Sequence, residues 1–339
     1  MAGVLIAGAA GSEAAPASST PFYSTTAILQ WINTYRTKPD PMRAAAAMHE
    51  LATLGELHNQ ESAGVYVGFA AGVIAANPGK ADALVDKMLP MSAEDQWFVV
   101  RAIAYSGIPN RRAVLTRIAA RVPARGPMLQ KYVAGTLPIL TDFKLEAPKP
   151  GWMERMAMVV SPNAKPKPQP VVLQPSPEVL DTFWGYYFAS GDSRALQTIV
   201  SILPWAKDRD DVDRLTLGGM AKYTLASNAS RDPVLLATIK TIRNSEPEDV
   251  RKVLDEVIEA ADDVDVSRVR KEMLASLDEL KRKGSATKRD VTFWGQVGQG
   301  AVAAGCIAAA VASVGVAGIP CVVGGAVSTG ALNVWSSQN

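Results

Sequence analysis

Tyr186-Tyr-Phe-Ala-Ser-Gly-Asp-Ser-Arg-Ala-Leu-Gln-Thr-Ile-Val-Ser-Ile-Leu-Pro204 carries the pattern of a complete helical hairpin. An aromatic helix end runs into the small turn Ser190-Gly191-Asp192. A second helix follows, with Ala195, Leu196 and Ile199 at the three- and four-residue spacing of one helix face. Pro204 then ends it, because proline lacks the backbone donor that another turn needs. The pattern recurs. Phe69-Ala-Ala-Gly-Val-Ile-Ala-Ala-Asn-Pro-Gly-Lys-Ala-Asp-Ala-Leu-Val-Asp-Lys-Met-Leu-Pro90 is one copy, and Ile103 to Pro123 is a second. A looser fourth copy runs from Tyr223 to Ile242. Pro90 and Pro123 lie 33 residues apart, and Tyr186 and Tyr223 lie 37 apart, which is one helical hairpin per repeat.

A single hairpin cannot bury both faces, so neighbouring copies must stack. In Tyr187, Gly191-Asp192, Ala195-Leu196, Ile199 and Pro204 the third copy resembles the tetratricopeptide-type repeats, and the resemblance covers about half the chain. It departs at the missing Trp-x-x-Leu-Gly opening and at Asn77-Pro78-Gly79, which stands where Gly-Asp would. A generic array of helical hairpins accommodates the same residues. The resemblance implies helix pairs wound into a superhelix whose concave face binds a protein or peptide. Trp184, Tyr186, Tyr187 and Trp205 are the candidate partner contacts, with packing between helices as the alternative for each.

The expected fold class is all-α: an α-solenoid-like array of helical hairpins, a Pro-rich linker and a C-terminal Gly/Ala-rich apolar hairpin. Five segments follow. Residues 1–23 read as a signal-peptide remnant or flexible tail, and 24–146 as an N-terminal helical-repeat domain. Residues 147–175, with Lys165-Pro-Lys-Pro-Gln-Pro170, form the linker. Residues 176–290 make a second helical-repeat domain, opening at Ser176-Pro177-Glu178 with serine as N-cap and proline at the first helical position. Capping boxes are expected at Ser92-Ala-Glu-Asp95 and Ser245-Glu-Pro-Glu248. The latter precedes an amphipathic stripe of Val250, Val253, Leu254, Val257 and Ile258. Residues 291–339 are uncharged.

The two ends bear on location. Residues 4–10 suit the apolar core of a secretory signal, with Ala15-Pro16-Ala17 or Ser12-Glu13-Ala14 as its cleavage site. The first Lys or Arg is Arg36, so the basic start of such a signal is missing and an upstream start codon is expected. At the other end, Gly318-Ile-Pro320 divides 291–339 into two apolar pieces of about membrane-spanning length. As a hairpin it would set Trp294 and Trp335 at one membrane interface, behind the basic Lys281-Arg282-Lys283 and Lys288-Arg289. Gly and Ala drive insertion weakly, so burial within the protein is the other reading. In an exported chain Cys306 and Cys321 would pair as a disulfide across 14 intervening residues, contributing about 3 kcal/mol; two buried thiols are the alternative.

The chain has 339 residues, 48% of them apolar, 20% charged and 6% aromatic, with a net charge of +2. That balance excludes a disordered chain and, as the default, a strongly basic nucleic-acid binder. No cofactor or metal is expected. His49-Glu50 would need a histidine at Thr53 for the zinc motif, and His58 lies about 180° from His49 around a helix. Asp262-Asp263-Val-Asp265 lacks calcium-loop spacing and reads as a solvated turn. The functional expectation is a non-enzymatic helical-repeat binding or scaffold protein of the bacterial cell envelope, periplasmic or membrane-associated. A membrane-active protein using 291–339 is the alternative, and an enzyme with an unrecognised carboxylate site the third reading.

Overall fold

The computed structural model describes residues 22, 24–60, 62–146 and 170–262, together with 268, 269, 271, 272 and 275. The described residues are all-helical, with twelve α-helices and no strand. They are α1 Thr25–Thr34, α2 Pro41–Thr53, α3 Gly64–Ala76, α4 Ala81–Met88, α5 Gln96–Tyr105, α6 Arg111–Ile118, α7 Gly126–Ala134, α8 Pro177–Ser190, α9 Ser193–Ser201, α10 Val212–Ala229, α11 Pro233–Arg243 and α12 Glu248–Asp262. Each of the four quoted repeats falls on a helix, a turn and a helix: α3–α4, α5–α6, α8–α9 and α10–α11.

Local chemistry sets the boundaries. Ser176 accepts from the Val179 amide and Pro177 occupies the first helical position of α8, as the sequence predicts. Gly191 ends α8 in the left-handed region, and Gly107 takes the same conformation at the matching turn after α5. Ser106 and Ser190, each just before its glycine, donate back to carbonyls of the preceding turn. Two expected capping boxes are corrected. Ser92 accepts from the Asp95 amide but lies in a turn before α5, which starts at Gln96. Ser245 donates to the Ile242 carbonyl, closing α11 rather than opening α12, because Pro247 places the α12 start at Glu248.

Helix α3 is the centre of the molecule. Its sequence, Gly-Val-Tyr-Val-Gly-Phe-Ala-Ala-Gly-Val-Ile-Ala-Ala, is apolar all round, and residues 64 through 74 are buried. A helix of that kind needs partners on every side. It packs on α2, α5 and, most extensively, α8. Gly64, Gly68 and Gly72 form one stripe at four-residue spacing, the contact surface of closely approaching helices. A Cβ at Gly68 would overlap the Thr182 carbonyl, and one at Gly72 would stand 2.7 Å from both the Ala189 Cβ and the Tyr186 carbonyl. Gly185 returns the contact from α8, against the Val65 carbonyl.

The remaining helices extend a row outward from this pair. On one side α5 lies against α3, and α6 and α7 lie against α5. On the other, α10 neighbours α8, and α12 packs on α10 and α11. Buried side chains from 24–146 and from 170–262 belong to one continuous core. Phe143 and Leu173 form a parallel bridge, so residues 144 and 173 lie side by side. Of the expected linker, 170–175 is described. The signal-like residues 1–21, the stretch 147–169 and everything beyond 275, including the apolar hairpin, lie outside the described residues.

Candidate functional site

The charged residues of the interior act mostly as links between helices. Arg101 on α5 pairs with Glu178 on α8 at 2.5 Å, reaches Gln60 at 3.3 Å and lies over the Trp97 ring. Arg36 pairs with Asp232, the N-cap of α11, and covers the Tyr187 ring at 4.4 Å. Lys222 is buried on α10, with its ammonium 2.6 Å from Glu256 and 3.4 Å from Glu272. Lys207 also donates to Glu256 at 2.9 Å. Burial opposes ionisation of Glu256, yet the two ammoniums hold its carboxyl below its ordinary range.

A second set of links repeats along the chain. Asp82 and Asp86 on α4 pair with Arg117 on α6 and with Arg121 just beyond it, each across 35 residues. Arg125 donates to the carbonyls of Ala93 and Glu94, 32 and 31 residues back. These spacings match the repeat period read from the prolines.

One cleft stands out at the α12 end of the row. It measures about 560 Å³, opens to solvent, and lies between the short 3-10 helix Leu203–Lys207 and the first turns of α12. Pro204 and Val253 give it an apolar floor; Lys207, Glu248, Asp249 and Lys252 surround it. The two lysines are already engaged, Lys207 by Glu256 and Lys252 by Glu248. No basic side chain among the described residues pairs with Asp249 or with nearby Glu246. Burial raises the Glu246 carboxyl above its usual range, and the neighbouring Asp249 charge adds to that. Among the described residues Asp249, which lines the cleft, and Glu246 beside it are carboxylates without a basic partner.

Of the four candidate contact residues, two take up the packing alternative and two are half-buried. Trp184 and Tyr187 are each 1% exposed. Trp184 donates to the Thr224 hydroxyl at 3.0 Å and stacks on Phe188, so both rings pack helices together and present nothing to a partner. Tyr186 and Trp205 are half-buried against the core, with Arg214 over the Trp205 ring at 5.0 Å. Trp205 belongs to the 3-10 helix that borders the cleft but does not line it.

The histidines stay apart from any common centre. His49 lies on α2. His58 donates from Nδ1 to the Gly55 carbonyl at 2.9 Å, with Glu94 and Asp95 each 3.7 Å from the ring. Asp262 pairs with Lys240. No metal-binding group of three occurs among the described residues. Trp294, Trp335, Cys306, Cys321 and the basic cluster at 281–289 lie outside them.

Two features escaped the sequence reading. Residues 96–141 carry seven Lys or Arg and no Asp or Glu, a bias hidden because the basic residues are spread one or two per turn. In the sequence Glu246 figures only as part of the Ser245–Glu248 capping box and nothing singles out Asp249; the fold sets both beside a cleft.

Comparison with protein families, with curated proteins and with solved structures finds no match. The tetratricopeptide resemblance therefore rests on the quoted residues alone. Among the described residues no helix is long and apolar enough to cross a membrane.

Proposed function

We propose that the chain is a non-enzymatic helical-repeat binding or scaffold protein of the bacterial cell envelope, whose hairpins stack as repeats and offer the α12 cleft to a polypeptide. The observation that carries the repeat reading is the recurrence of links at 31 to 35 residues between α4–α5 and α6–α7, together with the matching left-handed glycines at 107 and 191. These are what stacked copies of one hairpin produce. The cleft suits a short segment with an apolar side chain for the Pro204–Val253 floor and a cation for Glu246 and Asp249.

Selection of random peptides against the full-length protein tests this. The expected product is an enriched motif pairing an apolar residue with Lys or Arg, lost on Asp249→Lys at the exposed wall of the cleft. No enrichment, or binders indifferent to that change, contradicts it.

A second reading is supported by the uncharged run from 291 to 339, preceded by Lys281-Arg282-Lys283. Here the helical part is a platform attached to a membrane by its C-terminal hairpin. Vesicle flotation of the full chain against a chain ending at residue 290 decides it. Floating only with the segment present supports attachment, and a full chain that stays at the bottom at low and high salt removes it.

A further inference from the structure

Charge is sorted along the helix row. At one end, α6 and α7 belong to the 96–141 stretch, where seven basic residues meet no acid. Arg101, Arg117 and Arg121 are engaged by Glu178, Asp82 and Asp86, and Arg125 by backbone carbonyls. No carboxylate among the described residues pairs with Arg111, Arg112 or Lys131. The Arg112 guanidinium lies close to Gly135, the C-cap of α7, one turn beyond Lys131, so the α6 and α7 cations gather at this end of the row. At the other end, residues 176–262 carry fifteen Asp or Glu against ten Lys or Arg, a net charge of −5. There Asp249 lines the cleft and Glu246 stands beside it, neither paired with a base among the described residues.

The two ends are separated by α5, α3, α8 and α10, so they cannot neutralise one another within a single molecule. We propose that a second copy of this chain is the cleft's occupant: the basic face of α6 and α7 on one copy docks on the acidic cleft of the next. Arg and Lys combine a charged head with an apolar stem, which fits carboxylates above a Pro204–Val253 floor. Among the described residues the exposed large apolar side chains are Met42, Leu54, Val171 and Val234, none of them on α6 or α7. The basic face thus lacks apolar side chains for a lipid surface and exposed rings for nucleic-acid stacking. Because the two faces differ, the contact is head-to-tail, and each added copy leaves one face of either kind free.

This rests on the cleft being a polypeptide site, and the two ideas fail differently. Peptide selection fails if the cleft binds nothing; the experiment below fails if it binds something other than this chain. Sedimentation equilibrium of the full-length protein should give a mass above 36.0 kDa that rises with concentration in 20 mM salt and returns to the monomer in 500 mM salt. Association through the apolar segment 291–339 would instead strengthen with salt. The triple variant Arg111→Glu, Arg112→Glu, Lys131→Glu and the double variant Glu246→Lys, Asp249→Lys should each stay monomeric alone, because each presents two ends of one sign. Mixed in equal amounts they should associate again. A monomeric wild type in 20 mM salt, an association that grows with salt, or a mixture that stays monomeric overturns the proposal. So does a monomer that binds phosphatidylglycerol vesicles through Arg111, Arg112 and Lys131.

Discussion

Single residues bring α3 and α8 together, and glycines do it by what they lack. Gly68→Ala places a methyl into the Thr182 carbonyl, where backbone must move on both helices. Overpacking of that kind costs about 3 kcal/mol, which urea unfolding should read as a lowered midpoint with unchanged slope. Gly79→Ala is the matched control: a Cβ there meets nothing within 4 Å, and the midpoint should barely move. Buried tyrosines make a pH prediction. Burial pushes the Tyr35 and Tyr187 hydroxyls up to about 12 from an ordinary 10.0, and raises Tyr66 and Tyr105 as well. The folded state keeps these protons after the unfolded state has lost them. Their contribution is therefore complete below pH 10 and is lost as the pH climbs from there through about 12. Urea midpoints across that range should fall, and Tyr35→Phe with Tyr187→Phe should flatten the fall.

Elements were legible in the sequence where a cap or breaker stands beside an apolar period. Ser176-Pro177, Gly191 and the stripe of α12 are cases, each decided within a few residues. The capping boxes at Ser92 and Ser245 misled because the Ser–x–x–acid spacing also fits a plain turn and a helix end. What joins one element to the next was less visible. Asp232 is the N-cap of α11, accepting from Val234 and Leu235 at 3.0 Å; that it also holds Arg36, 196 residues away, depends on the fold alone. Asp232→Asn keeps an oxygen for the cap and should cost about 1 kcal/mol. Asp232→Ala removes cap and pair together and should cost about 2 kcal/mol, both read by denaturant unfolding. The solvated Asp82–Arg117 and Asp86–Arg121 pairs link the surfaces of neighbouring hairpins but should contribute under about 1 kcal/mol each, and less in high salt.

At the scale of the whole molecule, the sequence divides at its proline-rich stretch while the core does not. Composition marks 147–175 as a connector because prolines are local events. The closure of α8 on α3 joins the stripe Gly64, Gly68 and Gly72 to Gly185, more than a hundred residues on, and the stripe's local period does not name that partner. A chain cleaved between 147 and 169 should consequently run as one complex on gel filtration, held by the α3–α8 contact, and separate only in denaturant. The candidate site was legible in pieces. The acids of the first α12 turn and Pro204 are plain in the sequence, but the cleft between them exists only because the 3-10 helix Leu203–Lys207 and α12 both pack on α10. The rings named from the sequence were chosen for size and aromaticity, which a buried interface and a core reward equally. Binding at the cleft is the central claim, and a fluorescence-anisotropy titration of the best selected peptide against wild type and Asp249→Lys, a reversal at an exposed lining residue, tests it most directly. At least tenfold weaker binding by the variant, with an unchanged melting temperature, is the predicted result. Equal affinity for the two proteins would contradict the account.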